Sequence, residues 1–316
     1  MNICIVGAGA IGGWVAAKLA LAGNRVTALT SGGPLDEVAL REAGSTSVAS
    51  FETIEGFADL LILAVKATAL APAARTARTY LGPDTIVVPM LNGVPWWFVD
   101  GMQLKSVDPD GSVAATIPID QVLGCVVHAS CSRSSDGTVV VKHADKLIIG
   151  ETRGSGTSSR AARLFAMLGE AGLRPDLSNN VRRAIWYKLW GNATINPLSA
   201  LVRAPCDRIL ADPQCRAWML EGMAELAAIG ASIGCPISES GQERMAVTAR
   251  LGSFKTSMLQ DVEAGRLIEL EALLGAPREI ARARQIETPA LDRLYGVTRV
   301  MAESLGLYPG SPARQQ

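Results

Sequence analysis

The sequence has few of the residues that support metal binding, and its charges give no attraction for a charged partner. It contains two histidines, at positions 128 and 143, and none of its six cysteines forms a Cys-x-x-Cys pair, so no metal site is expected. Thirty basic and thirty acidic residues give no net charge, and therefore no general attraction for nucleic acid or an anionic membrane. A disulfide framework is not expected in a chain of 316 residues, and reduced cysteines indicate a cytoplasmic protein.

The sequence also lacks an uninterrupted apolar run long enough to span a bilayer. Its first 22 residues are mostly apolar, but Lys18 lies among them and four glycines interrupt them. A buried strand followed by a buried helix explains this segment better than a signal peptide or an anchor. With 48% apolar and 19% charged residues, the chain is expected to form a sizeable core, and its length suggests two domains.

Short apolar runs alternate with helical patterns in the first half of the chain. Four runs are continuous rather than alternating, as expected for parallel strands covered on both faces: 3–6, 25–29, 60–65 and 85–90. Helices are expected between them at 15–22 and 70–80. Farther along, a Ser-Asp-Gly turn at 135–137 separates two more apolar runs, which predicts an antiparallel hairpin.

The motif Gly7-x-Gly9-x-x-Gly12 follows the first apolar run and precedes a helical pattern, which is the context that dinucleotide binding requires. Gly7 would permit a tight turn, Gly9 the approach of a pyrophosphate, and Gly12 close packing of helix on strand. The helix N-terminus would add amide donors and a favourable dipole. A simple glycine-rich turn is the alternative. The expected cofactor-binding residues of this loop are Gly7, Ala8, Gly9, Ala10, Ile11 and Gly12.

The end of the second apolar run bears on the choice of dinucleotide. It reads VTALTSGG, without the Asp or Glu that would bind the ribose 2′-hydroxyl of NAD. Since no carboxylate would repel a 2′-phosphate, NADP(H) is the expected cofactor, with Thr30, Ser31 and the Gly32 and Gly33 amides as candidate phosphate ligands. No Arg follows directly, so the preference for NADPH over NADH stays open.

Two later loops are expected at the same edge of the sheet. Lys66 follows the third run, and Asn92-Gly93 follows the fourth. Ligands bind at the carboxyl ends of parallel strands, so Lys66 is expected to contact the cofactor and the Asn92 amide to hold ribose or nicotinamide. A solvated lysine and an ordinary Asn-Gly turn are the alternatives.

The sequence pattern changes from alternating strands and helices to helices alone near residue 178, where we place the domain boundary. The linker-like residues 152–159 offer an earlier boundary, but a helix expected at 161–171 and a strand at 173–177 complete the first domain. Ser178, Asn179 and Asn180 can then cap a new helix. The predicted fold class is α/β, with a Rossmann-type dinucleotide-binding domain at 1–178 and an all-helical substrate and dimerisation domain at 179–316. The end of the chain, YPGSPARQQ, is typical of a loose tail.

Lys188, Asn192 and Asn196 lie four residues apart in WYKLWGNATINPLSAL, which aligns them along one stripe of a helix. Their neighbours are apolar, so the stripe is expected in a partly buried wall, where a lysine and two amides need partners. A cation flanked by two amides suits an enzyme that holds and protonates a hydroxyl or carbonyl group. A structural polar network is the alternative.

Five motifs form a specific set through their order and separation. They are GAGAIGG at 7–13, AVKA at 64–67, NG at 92–93, KLWGNATINPL at 188–198 and SMLQDVEAGRLIELE at 257–271. In these motifs the chain resembles the ketopantoate reductase (2-dehydropantoate 2-reductase) family over nearly its whole length. The resemblance implies a Rossmann domain, an all-helical domain and reduction of 2-dehydropantoate to pantoate with NADPH, a step of pantothenate biosynthesis.

The resemblance also implies roles for particular residues. Lys188 resembles the general acid of the family, and Glu269 its carboxylate near the lysine and the nicotinamide. The implied substrate ligands are Asn92, Asn192, Asn196 and Ser257. Ser130, in the sequence HAS at 128–130, is similar to a cofactor-side residue of the family.

Reduction of a ketone requires a proton donor, and Lys188 and Glu269 are the candidate residues for that step. Hydride transfer to a keto carbon builds an alkoxide, which a proton donor must neutralise. Both histidines lie in the hairpin region, so Lys188 is the expected donor, and it favours an anionic 2-oxo acid. Glu269, in RLIELEALLG, which we expect to be helical, would pair with Lys188 and lower the cost of burying either charge. A surface helix position is the alternative for Glu269, and Glu271 is expected at the surface.

Three departures from the family pattern keep other functions open. Thr30-Ser31 stands where relatives often carry an Arg, Cys206 where some place a substrate amide, and the bulky PWWF at 95–98 follows NG. The alternatives are a reductase of another, bulkier 2-oxo acid on the same fold and a non-catalytic NADP(H)-binding protein. Trp96 and Trp97 are expected to pack at the domain interface, or else to roof the pocket. The resemblance and the apolar helical half suggest a homodimer.

Overall fold

The structure, a computed structural model, describes residues 1–154, 158–250 and 252–310. Two compact units form: Met1–Leu91 with Gly111–Ala184, and Asn92–Asp110 with Ile185–Gln316. The predicted domain boundary at residue 178 stays a prediction beside this division, in which segment 92–110 groups with the later part of the chain. Residues 155–157 of the linker-like segment and 311–316 of the expected tail lie outside the described residues.

The described residues contain ten strands, all in the first unit, which form two sheets. They are β1 (Asn2–Val6), β2 (Arg25–Thr30), β3 (Gly33–Leu35), β4 (Glu37–Glu42), β5 (Ser45–Ser50), β6 (Leu60–Leu63), β7 (Ile86–Pro89), β8 (Leu123–Arg133), β9 (Val139–Glu151) and β10 (Pro175–Leu177). The described residues of the first unit also contain the helices α1 (Ala10–Leu21), α2 (Leu70–Ala77), α3 (Ser112–Thr116) and α4 (Ser159–Glu170).

The first sheet has the order β3-β2-β1-β6-β7. Strands β2, β1, β6 and β7 are parallel, whereas β3 pairs antiparallel with β2. The four continuous apolar runs of the sequence form these parallel strands, which are almost wholly buried. From β1 the chain crosses to β2 on one side, and β6 lies on the other, so the order reverses beside β1. The crevice at such a reversal is where dinucleotides bind in this class of sheet.

The second sheet has the order β10-β9-β4-β5, and β8 pairs antiparallel with β9. The predicted hairpin is therefore confirmed as β8 and β9. Strands β3, β4 and β5 were not predicted, and their burial explains why. Only Val38, Leu40 and Ala49 are buried in β4 and β5, so neither strand has a continuous apolar run.

Helix α1 begins at Ala10, five residues before the start of the expected helix at 15–22. The sequence pattern missed this first part because glycines interrupt its apolar residues. Those glycines serve close packing. A Cβ on Gly12 would lie 2.2 Å from the Gly7 carbonyl oxygen, and one on Gly13 would lie 2.9 Å from Val139 Cγ2 in β9. Small residues therefore let α1 fit against the loop after β1 and against the second sheet.

The regular elements among the described residues of the second unit are all helical, whereas segment 92–110 has no regular element. The elements of the unit are α5 (Val181–Val202, which begins in the first unit), α6 (Cys206–Ala211), α7 (Pro213–Ser232), α8 (Gly241–Ala249), α9 (Ser257–Glu263), a π-helical turn (Glu271–Gly275), α10 (Ala276–Ala283) and α11 (Pro289–Ser304). Asn180 caps α5 by accepting from the Arg183 amide at 3.1 Å, as predicted. Among the described residues, no helix combines the length and apolar character needed to cross a bilayer.

Two tryptophans fix the rotation of α5 against α7. Trp186 Nε1 donates to the Leu226 carbonyl at 3.1 Å, and Trp190 Nε1 donates to the Met223 carbonyl at 2.8 Å. Both rings are buried, and truncating a buried Trp typically costs about 3–5 kcal/mol. Since residues two apart on a helix lie about 200° apart, this packing turns Lys188 away from α7.

Segment 92–110 belongs to the second unit because specific bonds hold it there. The carboxylate of Glu279 accepts from the amides of Lys105 and Ser106, both at 2.8 Å, and from Ser106 Oγ at 2.7 Å. Phe98 stacks on Trp186 of α5, with ring centroids 5.7 Å apart. These contacts join residues far apart in sequence, so the periodicity of the chain gave no sign of them.

Candidate active site

The glycine loop after β1 has the geometry expected of a phosphate-binding turn. Gly7 has φ +96°, and the amides of Gly7 and Ala8 both donate to the Leu29 carbonyl at 2.8 Å. A Cβ on Gly7 would lie 2.5 Å from Val65 Cγ1, so only glycine fits there. The tight turn expected at Gly7 and the close packing expected at Gly12 are therefore observed.

The N-terminus of α1 is open to an anion. Gly9 is its N-cap, without a side-chain cap, and the first turn carries no acidic residue. A Cβ on Gly9 would meet only the Gly7 oxygen, at 4.0 Å, so a ligand has room to approach the backbone. The first amides of a helix have no partner within the helix, and together with the dipole they favour phosphate. These residues fit the pyrophosphate of a dinucleotide.

The turn between β2 and β3 uses some of the groups expected to bind a 2′-phosphate. Thr30 Oγ1 donates to the Gly33 carbonyl at 2.9 Å and accepts from the Gly32 amide at 3.2 Å. The Thr30 hydroxyl and the Gly32 amide thus stabilise the turn itself, while Ser31 is exposed. Phosphate binding by Thr30 and Ser31 stays a prediction.

Lys66 and Ser130, the other cofactor-side residues of the first unit, are both partly buried. Lys66 comes shortly after β6 and precedes a 3₁₀ turn at Ala67–Ala69, so it lies at the carboxyl end of a parallel strand. Ser130 pairs with His143 between two irregularities in the β8–β9 register. Contact of either side chain with the cofactor stays a prediction.

Lys188 and Asn92 meet in the second unit. Lys188 Nζ donates to Asn92 Oδ1 at 2.9 Å, and both side chains are partly buried. The ammonium comes from α5, and the amide from the loop that follows β7. The bond therefore joins two residues that the sequence singled out separately, as a proton donor and as a loop residue at a strand end.

A π-helical turn holds the Asn92 loop in place. Within it the Ala276 amide donates to the Glu271 carbonyl, five residues back. The next bond of that pattern would run from residue 277 to the Ala272 carbonyl, but Pro277 has no N–H. The Ala272 carbonyl instead accepts from the Val94 amide at 2.8 Å. A missing helix bond thus supplies the anchor for the loop that carries Asn92.

The expected helix at Glu269 was wrong in its start. Gly265, with φ +65°, follows the end of α9, and residues 266–269 are not helical. The Ile268 amide donates to the Leu307 carbonyl at 3.0 Å, which holds this stretch outside a helix. Helical residues begin at Leu270, so the partly buried Glu269 lies directly before a helix N-terminus, where a carboxylate is favoured.

Glu271, expected at the surface, is instead partly buried in a polar cluster. Its Oε1 accepts from Tyr295 Oη at 2.7 Å and from Tyr308 Oη at 2.6 Å. The cluster ties the π-helical turn to α11 and to the chain that follows it. Charge alone gave no way to distinguish Glu271 from an exposed helix residue, because both tyrosines are distant in sequence.

The remaining substrate candidates differ in burial. Asn196 is 7% exposed and Asn192 is partly buried; both lie in α5 with Lys188, so the predicted helical stripe is confirmed. Within the described residues, neither amide makes a hydrogen bond. Ser257 is the exposed first residue of α9, where Thr256 acts as the N-cap by accepting from the Leu259 amide at 3.1 Å. Substrate binding by these three residues stays a prediction.

The positions that depart from the family pattern are buried. Trp96 and Trp97 are each 4% exposed, which agrees with a packing role for both rings. Cys206 is 1% exposed, and burial raises the pKa of its thiol to about 11. The Cys206 side chain is therefore neutral and poorly suited to replace a substrate-binding amide.

Two family models match this chain. The model described as ketopantoate reductase PanE/ApbA matches residues 3–154, and its C-terminal counterpart matches residues 180–302. A 2-dehydropantoate 2-reductase from Mesorhizobium japonicum is 36% identical over 98% of this chain and 100% of its own. The chain belongs to the ketopantoate reductase family.

Solved structures of the ketopantoate reductase family have the same fold. A provisionally assigned ketopantoate reductase from Ralstonia solanacearum MolK2 is 44% identical, with a TM-score of 0.91 over 97% of this chain and 99% of its own. The 2-dehydropantoate 2-reductase from Methylococcus capsulatus is 25% identical, with a TM-score of 0.81 over 99% of this chain and 100% of its own. A D-mandelate dehydrogenase solved with NADH and anilino(oxo)acetate, 21% identical, shares the fold with a TM-score of 0.83 over 97% of this chain and 100% of its own.

Membership of the ketopantoate reductase family confirms the predicted α/β fold, with a Rossmann-type N-terminal part and a helical C-terminal part. It makes the protein an oxidoreductase of the 2-dehydropantoate 2-reductase type, which reduces a 2-oxo acid with a nicotinamide dinucleotide. The substrate, the preferred dinucleotide and the proton donor are finer questions, which depend on the residues described above.

Proposed function

We propose that this protein reduces 2-dehydropantoate to pantoate with NADPH, and that Lys188 is the general acid. The observation that carries the proposal is the 2.9 Å hydrogen bond from Lys188 Nζ to Asn92 Oδ1. It holds a primary ammonium group at a defined point in a partly buried wall. Such a group can donate a proton where an alkoxide forms, whereas a solvated surface lysine would have no fixed geometry.

A bound nicotinamide dinucleotide supplies the hydride for this reaction. As negative charge develops on the ketone oxygen, Lys188 stabilises it and transfers a proton to it, and the neutral amine then regains a proton from water. Asn92 accepts a hydrogen bond from the ammonium and so restricts its direction. Glu269, directly before a helix N-terminus, is the proposed carboxylate partner of Lys188, a role that the family resemblance implies.

The polar stripe of α5 supports recognition of a small 2-oxo acid. Asn196 is 7% exposed and its amide makes no hydrogen bond among the described residues, so the amide can bond a ligand. Asn192 and Asn196 lie one and two helical turns beyond Lys188, so their amides are available to the carboxylate and hydroxyl of 2-dehydropantoate, with Ser257 as a further ligand. The ammonium favours an anionic substrate over a neutral ketone.

The residues of the glycine loop, Gly7 to Gly12, are proposed to hold the pyrophosphate of the cofactor. NADPH is preferred in this proposal because no carboxylate follows β2 to repel a 2′-phosphate. Thr30, Ser31, Lys66, Ser130 and Asn92 are the other proposed cofactor contacts. The homodimer and the cytoplasmic location stay predictions from the sequence.

Replacement of Lys188 tests the proton donor. Lys188→Ala is expected to lower kcat by about 10²- to 10⁴-fold, since it removes general acid catalysis, while the Kd for NADPH changes little. Steady-state loss of NADPH absorbance with 2-dehydropantoate and a fluorescence titration with NADPH measure the two quantities. Lys255→Ala, at an exposed lysine paired with Glu263, is the matched control and should behave as wild type. A Lys188→Ala enzyme with normal turnover would remove Lys188 from the mechanism.

A bulkier 2-oxo acid is the second candidate substrate. The observation that favours it is the buried, neutral Cys206, which stands where some relatives place a polar substrate-binding amide. Initial rates with 2-dehydropantoate and with branched and aromatic 2-oxo acids separate the two substrates by kcat/KM. Tight NADPH binding without turnover of any 2-oxo acid would instead favour the non-catalytic alternative.

A further inference from the structure

We propose that the guanidinium of Arg133 binds a phosphate group of the dinucleotide cofactor; this inference rests on the proposed use of the glycine loop as the cofactor site. Arg133 is the last residue of β8, and the sequence motifs do not single it out. Its side chain nevertheless reaches the glycine loop. Arg133 Nη1 donates to the Ala8 carbonyl at 3.2 Å.

The β8–β9 turn holds Arg133 in this position. Arg133 Nε donates to the Gly137 carbonyl at 3.1 Å, and the Ser134 amide donates to the Thr138 carbonyl at 2.9 Å. Gly137 has φ +86°, which closes the turn. The guanidinium is thus held at two of its three nitrogens, Nε and Nη1, which reduces the rotamer freedom that is lost when an anion binds.

Arg133 retains donors for a ligand. A guanidinium has five N–H donors, and the two bonds described use two of them, which leaves three. Among the described residues, no carboxylate forms an ion pair with Arg133. Asp136, in the same turn, accepts from Ser134 Oγ at 2.7 Å and from the Thr138 amide at 3.0 Å. Among the described residues, the Arg133 guanidinium is therefore not paired with the carboxylate of its own turn.

Arg133 and the N-terminus of α1 favour the same ligand chemistry. The helix begins at Ala10, two residues after the carbonyl that Arg133 contacts, and its first turn contains no acid. A guanidinium beside helix amides binds phosphate by paired, charge-assisted hydrogen bonds. The end of β2 supplies no cation, because the sequence VTALTSGG contains neither lysine nor arginine. Arg133 is therefore the arginine that a hydrogen bond holds against the glycine loop.

The phosphate that Arg133 binds is either the pyrophosphate or the 2′-phosphate of the dinucleotide, and a comparison of NADPH with NADH distinguishes the two. NADPH and NADH share the pyrophosphate, whereas only NADPH has the 2′-phosphate. The Kd for each is measured by fluorescence titration at fixed ionic strength with wild type, Arg133→Gln and Arg133→Lys. Arg133→Gln should weaken binding roughly tenfold to hundredfold, the usual loss for one charged hydrogen bond to phosphate. A loss for NADPH alone assigns the 2′-phosphate, and an equal loss for both assigns the pyrophosphate.

Arg163→Gln is the matched control, because it removes the same charge elsewhere on the first unit. Arg163 is exposed on α4 and borders a small cavity with Leu60 and Ile86, the first residues of β6 and β7, at the opposite end of the sheet. Arg163→Gln should bind both dinucleotides like wild type. Arg133→Lys should retain part of the affinity, since it keeps the charge but not the planar donor set.

The outcomes separate this inference from the proposed function. Unchanged affinity of Arg133→Gln for both dinucleotides, with an unchanged Tm, overturns the role of Arg133 and leaves the cofactor site intact. A wild-type protein that binds neither dinucleotide overturns the proposed function and this inference together. If Arg133→Gln has a lowered Tm, the folded Arg133→Lys variant provides the test instead. A Kd for NADPH and NADH equal to that of wild type in Arg133→Lys would contradict the proposed role of the guanidinium.

Discussion

Gly93 is the residue on which the position of Asn92 depends most directly. Its φ is +81°, a conformation that other residues rarely adopt, and a Cβ there would lie 2.4 Å from the Ala272 carbonyl oxygen. The adjoining Val94 amide bonds that same oxygen. Glycine therefore allows the loop to approach the π-helical turn closely enough for Asn92 to meet Lys188.

Gly93→Ala should lower kcat, because it pushes the loop away from Ala272 and releases Asn92 from Lys188. We also expect a loss of about 1–3 kcal/mol in the free energy of unfolding from backbone strain and overpacking. Urea unfolding and steady-state kinetics measure the two effects. Gly101→Ala is the matched control, since Gly101 has φ +71° but no atom within 4 Å of an added Cβ. Equal kcat in the two variants would contradict the positioning role of Gly93.

At the scale of elements, the π-helical turn at Glu271–Gly275 is the feature that organises the second unit. Its free Ala272 carbonyl holds the Asn92 loop, and Glu271 ties it to Tyr295 and Tyr308. Such single turns often occur at functional sites, where they redirect a helix without ending it. Here the turn follows Glu269 and precedes α10.

Pro277→Ala should reduce turnover several-fold. The new N–H can bond the Ala272 or Leu273 carbonyl, so it competes with the Val94 amide and favours an ordinary α-helix. The Kd for NADPH should not change, which separates loss of positioning from loss of cofactor. Pro289→Ala is the control, because Pro289 is the first residue of α11, where a helix amide has no helical partner anyway. Wild-type kcat in Pro277→Ala would contradict the anchor.

The elements also show which parts of the fold were predictable. Parallel strands β1, β2, β6 and β7 are buried on both faces, so their apolar runs were visible in the sequence. Strands β3 to β5 depend on pairing rather than burial, and no pattern marked them. The helix expected over RLIELEALLG was wrong at 266–269, because a long-range bond from the Ile268 amide to the Leu307 carbonyl overrides the local preference.

The sequence patterns drew attention to the residues of the candidate site, but they gave no sign of the hydrogen bonds between them. Lys188 was found by its spacing with Asn192 and Asn196, and Asn92 by its place after a strand. Their hydrogen bond depends on Gly93 and on Pro277, which act through a carbonyl that no sequence pattern identifies. Arg133 was missed because its contact with Ala8 joins residues 125 positions apart.

At the scale of the whole molecule, buried thiols make stability depend on alkaline pH. Burial raises the pKa of Cys4 to about 12, and burial and then Glu42 raise the pKa of Cys131 to about 12, from an ordinary value of 9.0. Burial raises the pKa of Cys206 to about 11. These groups are neutral in the folded protein at pH values where the unfolded chain already loses their protons.

The free energy of unfolding should therefore be insensitive to these thiols below about pH 9 and should fall between about pH 9 and pH 12. Urea unfolding at pH 8 and at pH 10.5 measures the change. Cys206→Ala should show a shallower fall than wild type, because one of the three thiols is removed. An identical pH dependence in that variant would contradict the assigned effect of Cys206.

Segment 92–110 makes the two halves of this chain inseparable by a single cut. A polypeptide that begins at residue 179 would leave the Glu279 carboxylate and the Ala272 carbonyl without their donors, and Trp186 without the ring of Phe98. Such a fragment should fold poorly alone and recover helical circular dichroism when a synthetic 92–110 peptide is added. For the same reason, a chimera that joins residues 179–316 to the N-terminal half of another protein would fail. That half would bring a different segment in place of 92–110, and Lys188 would lose Asn92 as its hydrogen-bond partner.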